Sequence, residues 1–186
     1  IRVDVCYHNL PVIIVGVGGG LSYASLGATH HTCEDIGILR MLPGMTVICP
    51  GDAVEVKCAL RAALALRGPV YIRLGKKGEP VVHQKEPVFE IGKAISIREG
   101  RDVCILGTGN ILPSCLEAAE LLASRGILAK VVSVHTVKPL DTDLLNTLIS
   151  QFSLIVTVEE HSELGGLGGS VAEYFTSLDY KGSRLL

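Results

Sequence analysis

Gly27-Ala28-Thr29-His30-His31-Thr32-Cys33-Glu34-Asp35-Ile36 is the stretch around which this chain is organised. A β-branched run, Val12-Ile13-Ile14-Val15, and a glycine-rich run from Gly16 to Gly20 precede it, and apolar positions Ile36, Ile38, Leu39 and Leu42 follow. That order predicts a strand, a loose loop and the N-terminus of a helix. In an open α/β sheet the loop then lies at the carboxyl end of a strand, where such folds bind ligands. Two adjacent histidines there can offer protons, hydrogen bonds or metal ligands.

Working outward, Pro43-Gly44 closes a helix over 33–42, and 46–49 reads as a short strand ending at Pro50. Asp52-x-x-Glu55 is a capping box with Asp in the cap position, and Val56, Ala59, Leu60, Ala63 and Leu64 give an apolar face at helical spacing. Gly68-Pro69 ends that helix, and Val70-Tyr71-Ile72-Arg73-Leu74 is the next strand. The first block is therefore β-α-β-α-β, the pattern of a parallel sheet. Residues 75–87 turn charged, with Gly and two prolines, as linkers do. Strands at 103–106, 129–134 and 154–158 then alternate with helices at 110–124, 141–149 and 171–178, the last after the glycines from Gly165 to Gly169. The expected fold class is α/β: two small domains with mostly parallel sheets, 1–78 and 91–186, joined by a linker over 79–90.

Composition fits that picture. Of 186 residues, 48% are hydrophobic and only 4% aromatic with no Trp, so the core must be aliphatic, as in buried parallel sheets. A formal net charge of −2 argues against a polyanion-binding surface, so nucleic acid is not an expected partner. Six cysteines lack any C-x-x-C pair and several sit inside apolar runs, which fits buried reduced thiols and a cytoplasmic location. No apolar run reaches the roughly 18 residues of a membrane span, and Ile-Arg-Val-Asp is not a signal peptide. Ile1 stands inside an apolar pattern with no Met or cap before it, which reads as a fragment lacking its N-terminal part.

Taken together, the motifs resemble a known family. Gly27-Ala28-Thr29-His30-His31-x-x-Glu34-Asp35-Ile36-x-Ile38-Leu39-Arg40, Leu42-Pro43-Gly44-Met45, Val47-Ile48-x-Pro50-x-Asp52 and Gly68-Pro69-Val70-Tyr71-Ile72-Arg73 resemble the pyrimidine-binding domain of transketolase-type thiamine diphosphate enzymes. Thr108-Gly109-Asn110, Val134-x-Thr136-Val137-Lys138-Pro139-Leu140-Asp141 and Val158-Glu159-Glu160-His161-x-x-x-Gly165-Gly166-Leu167-Gly168 resemble that family's C-terminal domain.

The resemblance implies transfer of a two-carbon ketol or related acyl unit between small carbonyl or sugar substrates, by way of a thiamine diphosphate enamine. It implies Mg²⁺ as well, held with the diphosphate by a domain or subunit outside this chain, because no Gly-Asp-Gly with a following Asn-Asn occurs here. A homodimer or heterotetramer follows, since the cofactor lies between two subunits. His30 falls at the family's catalytic position, and the activating glutamate and pyrimidine-stacking aromatics are expected upstream of Ile1. Lys76 stands where the family often has an arginine for a sugar phosphate; a lysine binds phosphate as a point charge. Ser22, Tyr23 and His31 are further candidates to face the substrate, His31 with a capping or solvent role as its alternative.

Departures from the family bear on the donor. Ordinary transketolases carry a histidine twelve residues before His30 and an aspartate four before it, for the donor's hydroxyls; here these are Gly18 and Leu26. A buried hydroxyl left unpaired costs roughly 1–3 kcal/mol. The alternatives are therefore the beta subunit of a 2-oxoacid dehydrogenase decarboxylase, a deoxyxylulose-phosphate synthase, or a non-catalytic assembly module.

Other clusters read as structural. His30, His31, Cys33, Glu34 and Asp35 have metal-ligand residue types, but adjacent histidines diverge and no second cluster completes a zinc site, so no metal ligand is assigned. Glu34 and Asp35 are read as acids offsetting a helix dipole. Glu159, Glu160 and His161 are expected to be structural or interface residues, and the glycines from Gly165 to Gly169 to serve loop packing.

Overall fold

The computed structural model describes residues 1–178 and 183–186. After a wide helical turn at Arg2–Tyr7, the β-branched run forms strand β1 (Ile13–Val17). Helix α1 (Asp35–Arg40), strand β2 (Thr46–Ile48), helix α2 (Ala53–Ala65) and strand β3 (Val70–Leu74) follow in the expected order. β3 lies between β1 and β2, parallel to both, with Val70 opposite Ile13 on one side and Thr46 on the other. Val47 and Tyr71 point into a cluster with Ile36 and Leu39 of α1, while Ile48 and Ile72 point the other way onto Ala59 and Ala63 of α2. Both faces of β2 and β3 are covered, whereas β1, at the sheet edge, leaves Val15 and Val17 49% and 63% exposed.

Asp52 caps α2, accepting the Glu55 N–H at 2.8 Å. The box closes one residue early: the fully buried Glu55 carboxylate accepts from the Gly51 N–H at 2.6 Å. The apolar face of α2 is narrower than its sequence implied. Ala59, Ala63, Cys58 and Glu55 are buried, whereas Leu60 and Leu64 are 45% and 71% exposed. Each step round a helix turns by about 100°, which carries the two leucines off the stripe facing the sheet.

The second half holds strands β4 (Ile95–Arg98) and β5 (Val103–Gly107), helix α3 (Leu112–Ala123), and strands β6 (Ala129–Ser133) and β7 (Thr136–Lys138). Helix α4 (Thr142–Gln151), strand β8 (Leu154–Val158), helix α5 (Leu167–Ser177) and strand β9 (Arg184–Leu185) complete it. The second sheet has the order β4-β6-β5-β8-β9, parallel except for β4. β7 leaves it and pairs antiparallel with β2, giving the first sheet the order β1-β3-β2-β7. The halves therefore share a sheet. Lys138, at the end of β7, donates to the carbonyls of Arg40 and Leu42 and so caps the C-terminal end of α1.

Residues 79–90 run between the halves largely exposed, but the segment is tied down at a few points. The second oxygen of Asp52 accepts the N–H groups of Val82 and His83, both at 2.8 Å. His83 Nε2 meets Glu55 at 2.8 Å, and Phe89 stacks on the buried ring of His135 with centroids 3.9 Å apart. All six cysteines are free thiols, and five are buried. Burial pushes Cys49 up to about 12. Among the described residues no helix is long and apolar enough to cross a membrane.

Candidate active site

Two loops meet at the carboxyl ends of β1 and β3. Gly18 and Gly19 donate their N–H groups to the Leu74 carbonyl, both at 2.9 Å, which holds the start of one loop against the end of the neighbouring strand. Gly20 and Thr32 then exchange two backbone bonds, 2.8 and 3.0 Å, closing the base of a loop over 20–32. Two short turns, Ala24–Leu26 and Ala28–His30, fill it.

His30 sits exposed at the end of the second turn. Its Nδ1 lies 3.0 Å from the Thr29 hydroxyl, and its Nε2 has no partner among the described residues. His31 is half-buried and turns inward, with Nε2 3.4 Å from the Ala24 carbonyl, so it braces the loop rather than capping a helix. The Ser22 hydroxyl donates to the Gly19 carbonyl at 2.7 Å and accepts from Asn110 Nδ2 at 3.4 Å. Tyr23 lies over Gly18: a Cβ there would come within 2.5 Å of its ring, and the φ of +88° also favours glycine.

Lys76, on the loop after β3, is exposed, and its ammonium group has no partner among the described residues. With Val17, Pro50, Ala53 and Lys77 it lines an open cavity of about 410 Å³. His30 and Ser22 lie on the neighbouring loop but do not line that cavity. These residues share one end of the sheet; this chain alone does not enclose them in one pocket.

Beneath the loop lies a buried ionic cluster. Asp35 accepts from the Tyr71 hydroxyl at 2.7 Å and from Arg73 Nε at 2.9 Å. Arg73 Nη2 also donates to the Thr32 carbonyl at 2.8 Å and the Glu160 carbonyl at 2.9 Å. The two charged side chains are 2% and 10% exposed for Arg73 and Asp35. Burial, then the bond to Asp35, raises the Tyr71 phenol well above its usual range, so it stays a donor. Asp35 is thus the counter-ion of the loop's anchor, more than an acid at a helix start. The signal was an arginine inside Val-Tyr-Ile-Arg-Leu, since a charge in a buried strand needs an acid beside it.

Residues 159–162 close the site from the second half. Glu159 accepts the N–H groups of Leu167 and Gly168 at 2.7 and 2.8 Å, so the glycine-rich start of α5 already holds an anion. His161 Nε2 accepts the Gly37 N–H at 3.1 Å and Nδ1 faces the Ser162 carbonyl at 2.9 Å, which puts the ring proton on Nδ1. Among the described residues no group of three or more His, Cys, Asp or Glu could hold a metal ion.

Residues 1–79 match the family model of the transketolase pyrimidine binding domain, and residues 92–185 that of the transketolase C-terminal domain. The chain belongs to the transketolase family. It is 36% identical over 174 residues to one of the subunits of the apulose-4-phosphate transketolase of Phocaeicola vulgatus, covering 93% of this chain and 56% of that protein. It is 37% identical over 177 residues to the 1-deoxy-D-xylulose-5-phosphate synthase of Acidobacterium capsulatum, covering 94% of this chain and 28% of that one. A solved structure described as a split gene transketolase, inactive beta4 tetramer, matches with a TM-score of 0.90 at 38% identity, over 100% of this chain and 60% of that chain. The chain thus spans little more than half the length of the split-type transketolase chains it resembles. Of the two departures noted in the sequence, Gly18 lies under the Tyr23 ring and Leu26 is 55% exposed.

Proposed function

We propose that this chain is the pyrimidine-binding and C-terminal part of a transketolase that moves a two-carbon ketol unit between small carbonyl or sugar substrates. The observation that supports it most is that His30 and Lys76 stand exposed on neighbouring loops at the carboxyl end of one parallel sheet, with His30 Nε2 and Lys76 Nζ unpartnered among the described residues. Bound thiamine diphosphate supplies the electron sink that such bond breaking needs. In this reading a diphosphate-binding domain or subunit of the same enzyme holds the Mg²⁺ and the diphosphate, as the family membership implies. The assembly is then a homodimer or heterotetramer, and the free thiols suit a cytoplasmic enzyme.

In this reading His30 Nε2 gives and takes a proton at the donor's hydroxyl and carbonyl oxygens. Lys76 Nζ holds the phosphate of a sugar phosphate. The Ser22 oxygen, whose proton is already engaged by Gly19, accepts a hydrogen bond from the substrate, as the Tyr23 hydroxyl, unpartnered among the described residues, can. His31, whose Nε2 braces the loop against the Ala24 carbonyl, is a secondary candidate for substrate contact in this reading. A second reading, a synthase taking a 2-oxoacid donor, draws on the glycine at position 18 and the leucine at 26, neither of which can bind a sugar hydroxyl.

The test is His30→Asn in the assembled enzyme. Loss of proton transfer lowers kcat roughly 10²- to 10⁴-fold with donor KM little changed. A variant retaining kcat within threefold removes His30 from the chemistry.

A further inference from the structure

Glu160 belongs to the second half of the chain, yet its bonds run to the loop that carries Ser22 and His30. Its carboxylate accepts from Asn110 Nδ2 at 3.0 Å and from the Leu21 N–H at 3.4 Å. Asn110 in turn reaches the Ser22 hydroxyl. The Glu160 carbonyl takes an Arg73 N–H, and the same Arg73 nitrogen holds the Thr32 carbonyl at the loop's other end. Next to it, the Ser162 N–H donates to the Cys33 carbonyl at 2.7 Å. Gly20 fits because it has no side chain: a Cβ there would lie 2.5 Å from Glu160, and its φ is +66°. One turn, 159–162, therefore pins both ends of the loop over 20–32.

We infer that Glu160 and Asn110 are positioning residues for the reaction. Resting on the ketol-transfer reading, this assigns the second half a direct part in setting the loop. Neither side chain need touch substrate. With the pair in place, Leu21, Ser22 and the backbone leading to His30 hold one arrangement. Without it, the loop keeps its Gly20–Thr32 base but loses the tie on its first turn. Displacements of about 1 Å in such groups cost about 10²-fold in rate.

The experiment compares Glu160→Ala, Glu160→Gln and Asn110→Ala in the assembled enzyme, by donor kinetics and by hydrogen exchange read on peptides. Glu160→Ala and Asn110→Ala should each lower kcat about 10- to 100-fold. Their double variant should cost less than the product of the two single losses, because the Asn110–Glu160 bond links their ties to Leu21 and Ser22 into one network. Glu160→Gln, which still accepts from Leu21, should recover most of the rate. Exchange should quicken across 20–32 and stay unchanged in β5, β6 and β8, which a general loss of stability would not reproduce. Glu160→Ala with kcat within twofold of the parent, or exchange quickening equally throughout the second half, overturns the inference. A parent enzyme that turns over no donor refutes ketol transfer instead; the exchange pattern then still supports or overturns the pinning of the loop.

Discussion

Replacing Asp35 by Ala tests the buried anchor under the loop. The change leaves the Arg73 guanidinium, whose side chain is 2% exposed, with no counter-ion and no route to water. Breaking a buried pair by removing one partner costs about 3–5 kcal/mol. Arg73 keeps the carbonyls of Thr32 and Glu160, which satisfy hydrogen bonds but not charge, so the lower end, about 3 kcal/mol, is expected. That is a large share of the 5–15 kcal/mol typical of a folded domain. Asp35→Asn keeps an acceptor for Tyr71 and Arg73 and should cost about half as much, near 1.5 kcal/mol. Adding Arg73→Leu to Asp35→Ala removes the orphaned charge, so the double variant should cost about 2 kcal/mol less than the sum of the singles. Urea unfolding followed by circular dichroism measures the parent, Asp35→Ala, Asp35→Asn, Arg73→Leu and the double variant. An Asp35→Ala cost under 1 kcal/mol, or strict additivity in the double variant, would refute the reasoning.

Lys76→Ala should raise KM for a phosphorylated ketose about 10-fold or more and leave hydroxypyruvate, which has no phosphate, unaffected; steady-state kinetics with both donors decide it. Burial lowers His135 to about 4 from the ordinary 6.5, its Nε2 finding no partner among the described residues, with Glu55, His83 and Asp141 as its charged neighbours. The unfolded chain therefore takes up the proton first, and stability falls as pH drops from 6.5 towards 4, by up to about 3 kcal/mol. His135→Gln should flatten that limb of a stability-versus-pH curve. The His83 bond to Glu55 raises the His83 value, so its contribution is complete below pH 6.5 and lost as pH rises through the folded value. His83→Gln should therefore remove stability at pH 6 and little at pH 9, measured by the same unfolding experiment.

The elements that announce themselves in the sequence are those built from local signals. Asp52 caps α2 and Asp141 caps α4, and both are visible as an acid ahead of a helical pattern. β4 carries an alternating Ile95-Ser96-Ile97-Arg98 that charge nearby obscures, and β9 has only two residues. β7 is different in kind. Its partner β2 lies some ninety residues upstream, and three residues after a strand of the other sheet give no local sign of a change of sheet. The site divides the same way. The loop and His30 follow from strand, glycine run and helix start. The work of Glu160 depends on bringing a turn near the C-terminus against a loop near the N-terminus, and no spacing rule encodes that. The ties of 79–90 to α2 and to His135 run from Val82, His83 and Phe89 to residues distant in sequence, so no local spacing announces them.

The most direct measurement is a donor comparison on the assembled enzyme: the chain with its diphosphate-binding partner, thiamine diphosphate and Mg²⁺, offered hydroxypyruvate, xylulose 5-phosphate or pyruvate with an aldehyde acceptor. Products are identified by mass. Ketol transfer predicts a ketose two carbons longer than the acceptor from hydroxypyruvate or the ketose phosphate. Turnover of pyruvate alone, or no turnover while cofactor is bound, would contradict it.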